Sequence, residues 1–86
     1  MAAAPKKSVD TSTYAGRFAE RLRILREKAG LSVEEFATKI TTGGYELSAK
    51  SVYNWEGGLR EPPFNCLPFI ATALGLKTVR VLMPEK

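Results

Sequence analysis

The sequence has no histidine and only one cysteine, Cys66, so two of the side chains used most in catalysis and metal binding are almost absent. Without histidine, no side chain has an ordinary pKa between about pH 5 and 8, and no imidazole can bind a metal ion. One cysteine cannot form an internal disulfide or a zinc cluster, and in an apolar segment it is most simply a small core residue. The sequence also shows no glycine-rich phosphate loop and no pair of acids placed at a cleft, so we predict no enzyme, no metal site and no cofactor.

Long apolar runs are also missing. No stretch of about 18 apolar residues occurs, so we predict no membrane-spanning helix. The N-terminal segment contains Lys6 and Lys7 but no apolar stretch after them, so it does not resemble a secretory signal. We therefore expect a protein that works in the cytoplasm.

The charge is moderately positive and unevenly distributed. With 86 residues and a formal net charge of +4, the chain has room for one domain with one small core. Residues 1–30 carry seven Lys or Arg and three Asp or Glu, residues 31–58 carry two and four, and residues 59–86 carry four and two. The total charge permits a polyanionic partner, but the middle segment is acidic and does not by itself favour one.

The first half of the chain predicts an arm, two helices and a loop. Residues 1–13 are small and polar, so we predict a disordered arm, with a basic arm that touches DNA as the alternative. Thr13 caps a first helix over residues 14–28. Ser32 and Glu35 have the spacing of a capping box, which begins a second helix of eight or nine residues that ends near Ile40. Residues 41–46 are predicted to form a polar, flexible loop.

The third helix, at about residues 48–57, is the most informative stretch. Ser48 is a good N-cap, and Gly57–Gly58 is a good helix stop. On a helical wheel of about 100° per residue, Val52 and Trp55 lie on an apolar packing side. The opposite arc, which we call the polar face of the third helix, carries Ala49, Lys50, Tyr53 and Asn54. An ammonium, an amide, a phenol and a methyl group suit base edges and phosphates.

The last third of the chain predicts one helix and an ambiguous tail. Asn65 can cap a fourth helix from Cys66 to Leu74, with Pro68 tolerated in its first turn. In residues 78–83, alternating valines suit a strand, whereas Thr78 as a cap with Val81–Leu82 packed inward suits a short helix. We predict the helix, because every other element is helical. The alternative is a strand that pairs across a dimer.

The order of these elements resembles the Cro/lambda-repressor-like, XRE-type helix-turn-helix family, over roughly residues 18–82. The resemblance implies an all-α fold: a compact bundle of four or five helices, a lambda repressor-like DNA-binding domain over residues 14–83. It implies a helix-turn-helix at about residues 32–57, whose third helix lies in the major groove. The stretches that carry the resemblance are Leu22–Arg26, Gly30–Ala37, Leu47–Gly58, Arg60–Pro62 and Ile70–Gly75.

The resemblance also implies roles for individual residues. The base-reading candidates are Ala49, Lys50 and Asn54, of which Lys50 suits guanine and Asn54 suits adenine. A partly buried ion pair is expected between the first helix and the end of the third. The residues of this ion pair are Arg26 and Glu56. The flanking or phosphate-contacting candidates are Ser51, Tyr53, Gly57, Gly58, Arg60 and Val33.

Two departures from the family pattern bear on these roles. At the start of the second helix, where the family often has a glutamine that reaches a phosphate, this chain has Val33, which offers only its backbone N–H. The family turn before the third helix is about one residue, whereas residues 41–46 intervene here. The longer loop can bulge away, re-aim the third helix, or place Tyr45 near DNA or a partner.

Two functions from different classes follow. The first is a sequence-specific transcriptional regulator, such as a repressor, that binds double-stranded DNA as a homodimer. The alternative is an antitoxin-type or protein-interaction module that uses the same fold to bind a toxin or another protein. The acidic middle segment favours the alternative, with Ile24, Tyr45 and Val79–Met83 as its contact residues.

Overall fold

The computed structural model describes residues 12–84, which form an all-helical bundle. The arm predicted over residues 1–13, with Lys6 and Lys7, lies outside the described residues except for Ser12 and Thr13. Within residues 12–84, no helix is long and apolar enough to cross a lipid bilayer. The elements are α1 (Tyr14–Lys28), α2 (Val33–Gly43), α3 (Ala49–Glu56), a 3-10 helix (Phe64–Cys66), α4 (Leu67–Ala73) and a second 3-10 helix (Val79–Leu82).

The caps predicted for the first two helices are present. The Thr13 hydroxyl accepts from the N–H of Gly16 at 3.0 Å, and so satisfies one free donor at the start of α1. At the start of α2, Ser32 Oγ accepts from the N–H of Glu35 at 3.0 Å, and Glu35 Oε1 accepts from the N–H of Ser32 at 2.8 Å. This reciprocal pair is the predicted capping box.

One hydrophobic core joins all the helices. α2 packs against α3 and α4, α1 packs against α3, and residues 79–82 pack against α4 and α1. The apolar stripes of the helices meet there, so each helix hides its apolar face against another helix. The largest fully buried side chains are Phe36, Leu22, Ile40, Ile70, Leu82, Val52 and Cys66.

The fourth helix and the tail differ in detail from the prediction. Asn65 does not cap α4; it lies inside the 3-10 turn Phe64–Cys66, and α4 begins at Leu67 without a side-chain cap. The tail is helical, as predicted, but it is a single 3-10 turn whose Thr78 side chain makes no capping bond. Leu82 is fully buried while Val81 is exposed, so only one of the two predicted inward residues packs.

Cys66 is a core residue, and its burial affects the ionisation of its thiol. Its side chain is fully buried, and burial raises the pKa of the thiol from an ordinary 9.0 to about 11. The unfolded chain loses the thiol proton at a lower pH than the folded chain. The free energy of unfolding is therefore independent of the thiol well below pH 9.0, and it falls as the pH rises from 9.0 towards 11.

We expect the pH dependence of unfolding to differ between the wild type and Cys66→Ala. Between pH 8 and pH 10.5, the wild type should lose about 2 kcal/mol more free energy of unfolding than the variant. Urea titrations at the two pH values measure this difference. Both proteins share every other titrating group, so identical losses would show that the Cys66 thiol titrates normally.

Candidate nucleic-acid interface

α3 is held in place by its packing side. Val52 is fully buried and Trp55 is 4% exposed, as predicted. Ser48 caps the helix by accepting from the N–H of Ser51 at 3.4 Å. Because α3 packs against both α1 and α2, its exposed side is presented on a rigid support.

The backbone N–H groups at the C-terminal end of α3 were predicted to contact phosphates, but they are hydrogen-bonded within the domain. Gly58 has a positive φ of 76°, a conformation that favours glycine, and its N–H donates to the Trp55 carbonyl at 3.1 Å. The N–H of Leu59 donates to the Asn54 carbonyl at 2.9 Å, which completes a Schellman motif. The N–H groups of Gly57 and Arg60 also have internal acceptors. Because these backbone donors are already hydrogen-bonded inside the domain, the exposed Arg60 guanidinium is the better candidate for a phosphate contact at this end of α3.

The connector between α2 and α3 is shorter and better anchored than predicted. α2 extends three residues beyond Ile40, to Gly43, so half of the predicted loop is helical. The Thr41 hydroxyl donates to the Leu47 carbonyl at 3.0 Å and accepts from the Leu47 N–H at 3.1 Å. These two bonds tie the end of the connector to α2, so the connector fixes the start of α3 rather than swinging freely.

Tyr45 and Gly44 bind this connector to α4. The Tyr45 ring packs against the Phe69 ring, with the centroids 5.7 Å apart, and the side chain is half-buried. Gly44 has a φ of 126°, and a Cβ at that position would come within 3.1 Å of the Phe69 ring. The backbone conformation therefore favours glycine, and a larger residue would also have to displace the Phe69 ring slightly. Tyr45 therefore packs within the domain against α4, an outcome that was not among the alternatives predicted for the long loop.

A buried ion pair joins α1 to the end of α3. Arg26 Nε donates to Glu56 Oε2 at 2.7 Å, and Nη2 donates to Glu56 Oε1 at 3.0 Å, a bidentate arrangement. Arg26 Nη1 donates to the Leu31 carbonyl at 2.7 Å. The Arg26 and Glu56 side chains are only 10% and 5% exposed, and the hydrogen bond to Glu56 raises the pKa of Arg26. The pair thereby links α1, the backbone at Leu31 before α2, and the end of α3.

The ion pair also changes the charge count around α3. Glu56 is one of the four acidic residues of segment 31–58, and Arg26 outside the segment neutralises it. The surface beside α3 is therefore less acidic than the count for the segment suggests, which weakens the sequence-based objection to a DNA partner.

Two side chains on the polar face of α3 are available for a ligand. Lys50 is exposed and Asn54 is half-buried, and neither side chain has a hydrogen bond or ion pair within residues 12–84. Ala49 lies beside them and lines a groove of about 300 Å³ between α2 and α3. One helix thus presents a cation, an amide and a methyl group side by side.

Tyr53 has a partner that the sequence did not indicate. Its hydroxyl donates to Glu34 Oε2 in the first turn of α2, at 3.4 Å, and its side chain is 53% exposed. The two residues are 19 positions apart, and no local sequence pattern connects them. The bond leaves the phenol oxygen with lone pairs for an incoming donor, so Glu34 belongs to this surface although it was not among the predicted site residues.

The remaining predicted residues lie around this surface. Ser51 faces away from the groove between α2 and α3; with Arg60 and Trp55 it lines a separate groove of about 470 Å³. The Val33 side chain is only 7% exposed and packs in the core. Val33 can therefore offer a ligand only its backbone N–H at the start of α2.

Comparison with known proteins identifies the fold. The sequence matches the family described as a helix-turn-helix domain over residues 17–82, which is most of its length. The chain belongs to this family. The resemblance to XRE-type helix-turn-helix proteins, and the all-α fold it implied, are thus confirmed. A search of curated protein sequences finds no match.

Two solved structures are similar to this helix-turn-helix protein. The clp gene regulator ClgR from C. glutamicum superimposes with a TM-score of 0.67, at 22% identity, over 93% of this chain and 90% of that one. The hypothetical transcription factor NHTF from Neisseria gives a TM-score of 0.70, at 23% identity, over 98% of this chain and 89% of that one. At these identities the similarity shows a shared fold.

Proposed function

We propose that the protein is a sequence-specific DNA-binding transcriptional regulator that reads the major groove with α3. The observation that carries the proposal is the pair of unengaged side chains, Lys50 and Asn54, on the exposed face of a helix whose other side is firmly packed. Membership of the helix-turn-helix family supports the same role for α3.

Each side chain on the polar face suits a particular base edge. The Lys50 ammonium can donate to guanine O6 or N7, and the Asn54 amide can bond adenine at N6 and N7 together. The Ala49 methyl group suits the methyl group of thymine. Because the Tyr53 hydroxyl proton is directed to Glu34, the phenol oxygen acts as an acceptor and favours an amino group, on adenine or cytosine.

The contacts with the DNA backbone are fewer than the sequence suggested. Arg60 supplies a guanidinium next to the end of α3, and the backbone N–H of Val33 can meet a phosphate at the start of α2. Glu34 and Glu35 lie in that same first turn, and their charge opposes a phosphate there. We therefore assign the main backbone contact to Arg60.

The proposal includes binding as a homodimer in the cytoplasm. α3 has only eight residues, so one copy reads few base pairs. A two-fold dimer doubles the site and places its half-sites about 34 Å apart, one turn of the DNA helix.

We expect DNA affinity to fall as the salt concentration rises. One phosphate neutralised by Arg60 in each protomer, or two per dimer, predicts a log–log slope of about −1.8 and a loss of roughly tenfold between 50 and 200 mM salt. Fluorescence anisotropy with a labelled duplex measures the slope. Arg60→Ala should make the slope shallower by about 2 per dimer. Failure of the folded protein to bind any duplex at 50 mM salt would rule out the proposal.

A further inference from the structure

A hydrogen bond at the edge of the polar face of α3 links that helix to α2. The Tyr53 hydroxyl donates to Glu34 Oε2 in the first turn of α2, at 3.4 Å. Glu34 also lines the groove between the two helices, together with Ala49. Both partners are exposed, so the bond replaces bonds to water and adds little to the stability of the fold. It lies where a ligand of α3 would meet it.

The chemistry of a carboxylate fixes the direction of this hydrogen bond. An ionised carboxylate has no proton to donate, so Tyr53 is the donor and Glu34 is the acceptor. A phenol has one hydroxyl proton, and once that proton is directed to Glu34 the phenol oxygen presents only lone pairs. Within residues 12–84, Glu34 has no other hydrogen bond or ion pair that would draw its carboxylate away from Tyr53.

We propose that Glu34 determines specificity through Tyr53, so that the protein selects an amino group rather than a carbonyl group on one base of its DNA site. In the major groove, adenine and cytosine present amino groups, whereas guanine and thymine present carbonyl oxygens. A phenol oxygen that can only accept therefore favours adenine or cytosine. The inference rests on the proposed function and deepens it, because it assigns part of the base preference to a positioning residue outside the recognition helix.

The negative charge of Glu34 strengthens the same choice. A carbonyl oxygen brought to Tyr53 meets the lone pairs of the phenol beside a carboxylate, and it finds no donor there. Sites often obtain specificity by rejecting the wrong partner in this way. The same charge opposes the phosphates of any duplex, so Glu34 lowers the affinity for all DNA. Its effect on the choice of base can therefore be separated from its effect on general affinity.

Tyr53→Phe identifies the base pair that the phenol contacts. It removes the hydroxyl and keeps the ring, so it should lose the preference at one position of the selected site and keep the preferences elsewhere. At that position, the wild type should bind duplexes with adenine or cytosine about fivefold more tightly than duplexes with guanine or thymine, because one hydrogen bond lies at the low end of base discrimination. The measurement is the set of Kd values for the four duplexes at one salt concentration.

Glu34→Gln tests the role of the carboxylate, because an amide has nearly the same size and can donate as well as accept. The amide can donate to the Tyr53 hydroxyl, which frees the phenol proton for a carbonyl oxygen. The variant should therefore bind all four duplexes more tightly than the wild type does, and it should lose or reverse the preference for adenine and cytosine. The same substitution in the Tyr53→Phe background should leave the ratios of the four Kd values unchanged.

The matched control is Glu20→Gln, which makes the same change in charge on α1, in the groove with Ile24 and Val81. It should keep the wild-type preference at every position, and circular dichroism melts check that each variant is folded.

The outcomes separate this inference from the proposed function. A specific DNA-binding protein whose preference survives Tyr53→Phe at every position would overturn only the inference. So would a Glu34→Gln protein that binds every duplex more tightly with unchanged ratios, since the carboxylate would then act only through its charge. A wild type that binds all duplexes alike would contradict the proposed function and this inference together.

Discussion

Replacing Arg26 with methionine should lower the free energy of unfolding by about 3–5 kcal/mol, the typical cost of leaving a buried charge unpaired. The Glu56 carboxylate is 6% exposed and accepts two hydrogen bonds from Arg26, at 2.7 and 3.0 Å. Methionine also removes the donor to the Leu31 carbonyl. The loss is therefore large for a domain whose total stability is of order 5–15 kcal/mol.

Arg23→Met is the matched control, because Arg23 also pairs with a glutamate, Glu27, four residues further along α1. Arg23 Nη1 is 3.0 Å from Glu27 Oε1, but the two side chains are 31% and 53% exposed, so the pair contributes only about 0.3–0.5 kcal/mol. In thermal melts, Arg26→Met should lower the Tm by at least about 12 °C, and Arg23→Met by less than about 4 °C. Equal melting temperatures would contradict the assigned role of the ion pair.

A double variant separates the ion pair from general damage to the core. Arg26→Met/Glu56→Leu removes both charges, so no carboxylate is left buried without a partner. Its stability should recover part of the loss seen in Arg26→Met, because apolar replacements of buried pairs are often tolerated. A double variant less stable than Arg26→Met would show that the loss comes from packing rather than from the uncompensated charge.

The second large effect concerns DNA specificity. Lys50→Ala/Asn54→Ala should abolish the preference for a specific site over a scrambled duplex, because each residue contributes about 1–3 kcal/mol of base discrimination. Together the two losses correspond to roughly a 30-fold to 20,000-fold weaker preference per protomer. The measurement is the ratio of Kd values for the two duplexes at one salt concentration.

The control for this variant carries the same substitutions elsewhere. Lys77→Ala/Asn65→Ala removes an exposed lysine and an exposed asparagine outside α3. It should keep the wild-type ratio, and it has the same change in net charge as the double variant of α3. If both variants lose the preference equally, specificity does not depend on the polar face of α3.

Local patterns in the sequence were sufficient for most of the fold. Val52 and Trp55 follow from helical periodicity, because a residue's side of a helix depends only on its spacing. Thr13, Ser32 and Ser48 were correct caps, because a cap bonds to backbone a few residues away. The family resemblance supplied Arg26 and Glu56, which no local pattern joins across 30 residues.

Contacts between distant segments could not be read from the same patterns. The end of α2 was placed too early because threonine and glycine are weak helix formers, whereas Thr41 is held by its bonds to Leu47. The Glu34–Tyr53 contact likewise depends on how α2 and α3 pack. The sequence also did not show that the N–H groups of Gly57 and Gly58 would be hydrogen-bonded to α3 carbonyls by the motif that ends the helix.

The central claim is that the exposed side of α3 reads DNA sequence, and an unbiased binding-site selection at near-physiological salt tests it most directly. Random duplexes are selected in parallel by the wild type and by Lys50→Ala/Asn54→Ala. The account predicts that the wild type enriches a two-fold sequence with half-sites one helical turn apart, with guanine and adenine among its fixed bases, and that the variant enriches none. Enrichment of the same sequence by both proteins, or of no sequence by the wild type, would contradict it.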